Sequence, residues 1–132
     1  PEGTPAGASY LYWVGGVPDS EAFESFLKAS PGRVTFWIGG HTHPLNPDDT
    51  AGGKPITCSQ WGTHFINAAG LTRFHSNRDF RPAPMSRLLT FEEGKLSARL
   101  QVYLHTTDYA SKGWYPPAER ILPLSRSFHL SQ

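Results

Sequence analysis

Two histidines, His41 and His43, are the residues whose types and spacing point most directly to chemistry. They belong to the tetrad Gly40-His41-Thr42-His43. Neutral imidazole is the commonest side-chain ligand of zinc, manganese and iron near neutral pH, so two imidazoles separated by a single residue predict metal ligation. A pair of exposed loop histidines is the alternative interpretation, and the surrounding elements decide between the two.

The segment before the tetrad predicts the elements that would position these histidines. Residues 34–38 form a nearly continuous apolar run of strand length between turn residues, which predicts a strand buried on both faces. A helix is predicted just before it, beginning at position 19 or 20 and carrying Phe23, Phe26 and Leu27 on one face. The tetrad therefore follows the carboxyl end of a buried strand, where open α/β sheets bind their ligands.

The remaining segments alternate between turn-rich and strand-like composition. Residues 43–55 hold three Pro and two Gly, which predicts a long surface loop directly after the tetrad. A strand is predicted over 63–69, and a β-hairpin is predicted with arms at 86–91 and 96–104. Apolar and polar residues alternate along the second arm, so one of its faces should be buried. The segment at 9–14 predicts a short strand or a packed loop. The segment at 113–132 predicts an edge strand or a loop.

The order of these elements resembles the C-terminal half of the calcineurin-like metallophosphoesterases. In that family a Gly-His-x-His motif ends a strand, and the next strand ends in an Asn followed by small residues, as Asn67-Ala68-Ala69-Gly70 does here. The resemblance implies an α/β fold with a mixed sheet and a C-terminal β-hairpin, part of a layered α/β/β/α sandwich. It also implies that residues 1–132 form a single domain portion whose N-terminal half is absent.

The resemblance further implies a dinuclear metal centre, in which His41 binds one ion and His43 the other. The ions would be divalent or trivalent Mn, Fe or Zn, and the reaction would be hydrolysis of a phosphate mono- or diester. The family's other ligand motifs, Asp-x-His, Gly-Asp-x-x-Asp and Gly-Asn-His followed by an acid, do not occur. We therefore expect the missing N-terminal half to supply the remaining ligands, and we expect this chain alone to be inactive.

Residues outside the tetrad are weaker candidates for a functional site. His64 and Arg73 are candidates for substrate binding, although a surface or hydrogen-bonded core position for His64 and ordinary solvated charge for Arg73 are the alternatives. Asp48 and Asp49 have the composition of turn formers. The single cysteine, Cys58, has no neighbouring motif and is interpreted as an inert thiol.

Two other classes of function remain open at this stage. The spacing of His41, His43, Asp48 and Gly53 loosely resembles the first metal motif of cupin barrels, which would hold one metal ion. The predicted helix and strand before the tetrad argue against a cupin. A non-catalytic binding domain on the same fold is the other alternative, because a fold does not by itself confer an activity.

Composition limits the partners of the chain. The formal net charge is +1, so no strong positive field would recruit nucleic acid. The sequence contains no apolar run of about 20 residues, the length needed to span a bilayer. A single cysteine gives no disulfide framework, which favours a reducing, cytoplasmic compartment.

Overall fold

The computed structural model describes residues 20–40, 50–51, 54–55, 57–71, 83–105 and 110–130. Strands predominate among them, and a single helix precedes the strands, so the fold is mixed α/β as the sequence predicts. In chain order the elements are α1 Ser20–Ala29, β1 Phe36–Gly39, β2 Thr50–Ala51, β3 Lys54–Pro55, β4 Thr57–Gln60, β5 Thr63–Asn67, β6 Met85–Phe91, β7 Ser97–Leu104, β8 Gly113–Trp114, a 3-10 turn Pro116–Ala118 and β9 Arg120–Pro123.

The first sheet combines parallel and antiparallel pairing in the order β1-β5-β4. β1 runs parallel to β5, with Phe36 opposite His64 and Gly39 opposite Asn67. β4 runs antiparallel to β5. Because parallel strands end at the same side of a sheet, the carboxyl ends of β1 and β5 meet at one edge.

A tight turn joins β4 to β5 and requires glycine. Trp61 and Gly62 form the two-residue connection and have φ angles of 53° and 71°, the combination of a type I′ hairpin turn. A Cβ atom at Gly62 would lie 2.7 Å from the backbone nitrogen of Gly32, in the segment that follows α1. The turn is therefore packed against the connection from α1 to β1, and it orients this end of the sheet.

The strand predicted over 34–38 is present as β1, but the prediction that it is buried on both faces is wrong, because the buried strand of this sheet is β5. Ile38 is 55% exposed, whereas all five residues of β5 are buried. Within the described residues β1 pairs with β5 alone, which leaves its outer side uncovered. The strand predicted over 63–69 is present as β5, but its central position was not evident because it carries buried polar residues, Thr63, His64 and Asn67, among its apolar ones.

The second sheet is built on the predicted hairpin. β6 and β7 pair antiparallel from Met85 opposite Leu104 to Phe91 opposite Ala98, close to the predicted arms. β8 and β9 pair with the other side of β7, so the C-terminal segment forms edge strands as predicted. Leu96 is 61% exposed because it lies in the turn before β7 rather than in the alternating arm.

The two sheets pack face to face around β5. Ile66 contacts Leu100 of β7 and Leu122 of β9 in one buried cluster. A second cluster continues along the second sheet and includes Met85 and Val102. Burial of apolar side chains at about 25 cal/mol per Å² is the main force that holds such layers together.

The helix covers the other side of the first sheet only in part. Leu27 is 1% exposed, and the ring of Phe23 lies 4.3 Å from that of Trp37, between centroids. Phe26, the third member of the predicted apolar face, is 46% exposed. A helix long and apolar enough to cross a membrane does not occur in the described part of the chain.

The segment predicted as a long loop contains a small two-stranded ladder. Thr50 pairs with Pro55 and Ala51 with Lys54, so β2 and β3 run antiparallel. The sequence between them is Gly-Gly, a dipeptide that suits a two-residue hairpin connection. The prediction of a segment without strands was therefore wrong for these positions. The strand or packed loop predicted over 9–14 lies outside the described residues.

Candidate functional site

The chain leaves β1 at the edge where β5 also ends. The carbonyl oxygen of Gly39 accepts a hydrogen bond of 2.7 Å from the backbone nitrogen of Ala68, just beyond the end of β5. Gly40 is the last described residue before the predicted metal ligands His41 and His43. These two histidines, with the candidate Arg73, lie outside the described residues, so their roles stay predictions.

A sharp turn follows β5 at the same edge. Asn67 is 2% exposed, and its side-chain oxygen accepts a hydrogen bond of 2.7 Å from the backbone nitrogen of Ala69. This local bond stabilises Ala69 in a left-handed conformation, with φ at 63°. Gly70 then accepts a hydrogen bond of 3.0 Å from the backbone nitrogen of Met85. The turn thereby connects the end of β5 to the start of β6 and joins the two sheets.

Arg87 of β6 reaches this edge from the second sheet. It pairs with Val102, so its side chain begins on the face that packs against β5. Its Nε donates a hydrogen bond of 3.1 Å to the carbonyl oxygen of Asn67. Burial, and secondarily repulsion from Arg120, lowers the pKa of Arg87 to about 10. Its Nη2 atom is fully buried and has no hydrogen-bond partner among the described residues.

Sequence reasoning did not identify Arg87 as a candidate. The only signal was its register, since positions 85, 87, 89 and 91 share the inward face of the predicted hairpin arm. An arginine at an inward position among apolar neighbours has to be paired or to serve a site. That inference needs the register of the strand pair, and the register follows from the structure.

His64 lies away from this edge and has a complete set of hydrogen bonds. It is 4% exposed, with its Nδ1 atom 2.6 Å from Ser59 Oγ and its Nε2 atom 2.6 Å from the carbonyl oxygen of Pro123. A carbonyl oxygen can only accept, so Nε2 carries the proton, and Nδ1 of the neutral ring accepts from the Ser59 hydroxyl. The ring also packs against Phe36, with centroids 5.4 Å apart.

These surroundings match the alternative interpretation of His64 as a hydrogen-bonded core residue. His64 precedes Asn67 by three positions on β5, which places it about 10 Å from the carboxyl edge along the strand. Its role in substrate binding stays a prediction. Because both nitrogens are engaged, it would have to give up a hydrogen bond to contact a ligand.

A cleft opens at the opposite, amino end of β1. It has a volume of about 430 Å³ and lies between the segment after α1 and the segment after β9. Phe36, Phe91 and Phe128 form its apolar wall, and the rings of Phe91 and Phe128 lie 5.1 Å apart between centroids. Arg33 and Arg126 lie at its exposed rim. Gly40, the last described residue before the predicted metal ligands, follows the other end of β1.

The described residues do not by themselves form a metal centre. They contain no group of three or more His, Cys, Asp or Glu side chains arranged to hold an ion. The two imidazoles of the tetrad suit zinc, manganese or iron, but a pair of ions needs further ligands, including carboxylates. Burial raises the pKa of the Cys58 thiol, which keeps it protonated and agrees with its interpretation as inert.

Comparisons with known protein families, with curated proteins and with solved structures found no match to this chain.

Proposed function

We propose that this chain supplies the last two histidine ligands, His41 and His43, of a calcineurin-like metallophosphoesterase that hydrolyses a phosphate mono- or diester. The observation that supports the proposal is the parallel pairing of β1 with β5. It brings Gly40 and the turn after Asn67 to the same edge, so the tetrad begins where ligands bind in open sheets.

In this proposal each histidine contributes a neutral imidazole to a different ion of the pair. The ions, when bound, would polarise the phosphoryl oxygens and lower the pKa of a bound water to supply a hydroxide nucleophile. The carbonyl of Gly39, just before the tetrad, is held beside β5 by the hydrogen bond from the backbone nitrogen of Ala68. The rigid strand end would fix the direction in which the two imidazoles depart.

The proposed partner is an N-terminal half of the same domain, which would complete the layered α/β/β/α sandwich. Ile38 is 55% exposed on β1, and in the described residues β1 has a pairing partner on one side only. An uncovered strand edge with an exposed apolar side chain favours the addition of another strand. The carboxylate ligands of the metal pair would come from that half.

The observed topology disfavours the cupin alternative. Cupin barrels are double sheets of antiparallel strands, whereas β1 and β5 are parallel and follow a helix. A non-catalytic binding domain remains the rival proposal. It predicts that His41 and His43 bind no metal, so a direct binding measurement separates the two.

Titration calorimetry with Mn²⁺ and with Zn²⁺ tests the proposal. We expect weak binding by the wild-type protein, and we expect His41→Ala and His43→Ala each to weaken it about tenfold or more. His129→Ala is the matched control, because His129 is exposed and its Nδ1 lies 2.7 Å from Glu93 Oε1. Equal binding by all variants would refute the ligand assignment.

Hydrolysis of an aryl phosphate supplies the second test. Two imidazoles cannot hold both ions, so the chain alone should show negligible turnover. Strong turnover by the pure 132-residue chain would overturn the proposal that its site is completed by another half.

A further inference from the structure

We propose that Arg87 binds an oxyanion, a phosphate group, at the carboxyl edge of the first sheet. The binding itself requires no metal ion. Assigning the oxyanion to the phosphate of an ester substrate rests on the proposed function.

The charge of Arg87 is buried without compensation in the described part of the chain. Burying an ionised group is costly unless it is paired and hydrogen-bonded. Glu119 is engaged by Arg99, which contacts it at 2.7 Å on the exposed side of the second sheet. The nearby charge that acts on Arg87 is Arg120, a second cation, which raises the cost of the buried charge. An anion at this position would remove that cost.

The geometry of the guanidinium determines which side can take a ligand. Nε is engaged by the carbonyl oxygen of Asn67, so it is unavailable to a second acceptor in good geometry. Nη2 is buried and lacks a hydrogen-bond partner in the described parts of the chain. The edge formed by Nη1 and Nη2 is therefore the one that can present two parallel N–H groups to an oxyanion. Bidentate pairing of this kind is the preferred mode of arginine with phosphate.

The site is accessible from the edge of the sheet. Arg87 as a residue is only partly buried, although its Nη2 atom is covered. The neighbouring Ala69 and Gly70, in the turn after β5, are also partly exposed. A phosphate group can therefore approach Arg87 from solvent, and contact with the covered Nη2 requires a shift of the side chain.

The position of Arg87 explains how it could serve the proposed function. It contacts Asn67, which pairs with Gly39, and Gly39 lies two residues before His41. A phosphate group held by Arg87 would thus lie at the edge from which the tetrad departs. Arginine would contribute a fixed positive charge where negative charge accumulates on the phosphoryl oxygens.

A purely structural role gives a different expectation. If Arg87 only anchored the turn at Asn67, its replacement would lower stability, and phosphate would stabilise the wild type and the variant equally. If it binds an oxyanion, its replacement by an apolar residue removes an uncompensated buried charge and abolishes the effect of phosphate. Melting temperature measured with and without phosphate therefore separates the two roles.

The test uses the wild-type protein in EDTA, with inorganic phosphate as the probe and NaCl of equal ionic strength as the salt control. At tenfold excess over Kd, phosphate should raise the Tm by about 4 °C. Arg87→Met should lose this shift while melting no lower than wild type without phosphate. Arg87→Lys should retain a shift but need roughly tenfold more phosphate, because lysine cannot form the bidentate contact.

Arg99→Met is the matched control. It removes the same charge from the neighbouring strand, at an exposed residue that is paired with Glu119. It should keep the full phosphate shift. A wild-type protein without a phosphate shift, or an Arg87→Met variant that keeps it, would overturn the inference.

Phenyl phosphate in the same assay distinguishes an ester from free phosphate. A shift with both ligands supports the assignment of a phosphate ester, and a shift with inorganic phosphate alone restricts the inference to the free ion. The histidine variants separate this inference from the proposed function. His41→Ala and His43→Ala should lose metal binding and keep the phosphate shift in EDTA, so each proposal can fail without the other.

Discussion

The two ends of the parallel pair β1 and β5 differ in how completely their buried polar groups are satisfied. At the amino end, His64 has partners at both ring nitrogens and packs against Phe36. At the carboxyl end, and among the residues that the structure describes, Arg87 has one hydrogen bond and a buried nitrogen without a partner. Both side chains are polar and enclosed, but only one has all of its hydrogen bonds within the described protein.

This difference indicates which end is structural and which is available for ligands. A satisfied buried network rigidifies a fold, whereas a buried group left incomplete needs a functional explanation. The incomplete group lies at the edge where the histidine tetrad begins. Sequence pattern and hydrogen bonding thus independently favour the carboxyl edge of β1 and β5 as the end that binds a ligand.

The largest effect on stability should come from the amino end. His64→Ala removes both ring hydrogen bonds and leaves a cavity beside Phe36, so we expect a loss of about 3 kcal/mol in the free energy of unfolding. Urea denaturation measures this loss. Ser59→Ala is the control and should cost about 1 kcal/mol, because it removes only one of the hydrogen bonds. A His64→Ala variant as stable as wild type would contradict a structural role for this ring.

The turn between β4 and β5 should give the next largest effect. In Gly62→Ala the new Cβ would lie 2.7 Å from the backbone of Gly32 at a φ of 71°, and we expect a loss of about 2 kcal/mol. Gly94→Ala is a matched control, with the same φ but no atom of the described residues within 4 Å of the new Cβ. It should cost about 1 kcal/mol, from backbone strain alone. Equal losses in thermal denaturation would mean that the contact with Gly32 is unimportant.

A smaller effect, of opposite sign, is expected at the carboxyl end. In phosphate-free buffer Arg87→Met should stabilise the protein by about 1 kcal/mol, because an uncompensated buried charge is replaced by an apolar side chain. Urea denaturation at pH 7 measures this difference. A large loss of stability would show that Arg87 is satisfied in solution by a group of the protein itself.

The pH dependence of this difference follows from the lowered pKa of Arg87. The folded protein should release the Arg87 proton near pH 10 and the unfolded chain only at a higher pH, so above about pH 10 the unfolded state binds more protons. The wild type therefore gains stability relative to Arg87→Met as pH rises through about 10. Below pH 10 the difference in the free energy of unfolding between Arg87→Met and the wild type should be constant. An advantage that grows above pH 10 would contradict the direction of the shift.

The smallest effect should come from the outer face of the second sheet. Arg99 and Glu119 form an exposed ion pair, and the side-chain hydrogen bond from Arg99 lowers the pKa of Glu119. Exposed pairs contribute little to stability. Glu119→Gln should therefore leave the melting temperature nearly unchanged at moderate salt. A marked fall would mean that the pair also orders β9.

The elements that follow a strong local pattern could be predicted from the sequence. The hairpin of β6 and β7 was evident from its alternation and short turn, and the helix from its apolar spacing. Burial within the first sheet was not predictable in the same way. The apolar residues 34–38 suggested a central strand, yet the central position belongs to β5, whose polar residues acquire partners from distant segments.

The candidate site shows the same limit. His41 and His43 were found because a short motif carries their chemistry. Arg87 was missed because its environment depends on the register of β6 and on the carbonyl of Asn67, twenty residues earlier in the chain. Contacts between distant segments give both ring nitrogens of His64 a hydrogen-bond partner, whereas in the described residues they bury Nη2 of Arg87 without one. Neither outcome can be predicted from the local sequence.

The most direct test of the account is whether metal binds at the carboxyl edge of β1 and β5. Addition of substoichiometric Mn²⁺ to ¹⁵N-labelled protein broadens the amide signals nearest the bound ion. We predict broadening of Gly39, Gly40 and Ala68 in the wild type and its loss in the His41→Ala, His43→Ala double variant, with Gly62 and Thr63 at the opposite end unaffected. Broadening centred on Gly62 and Thr63, or unchanged by the double variant, would contradict the account.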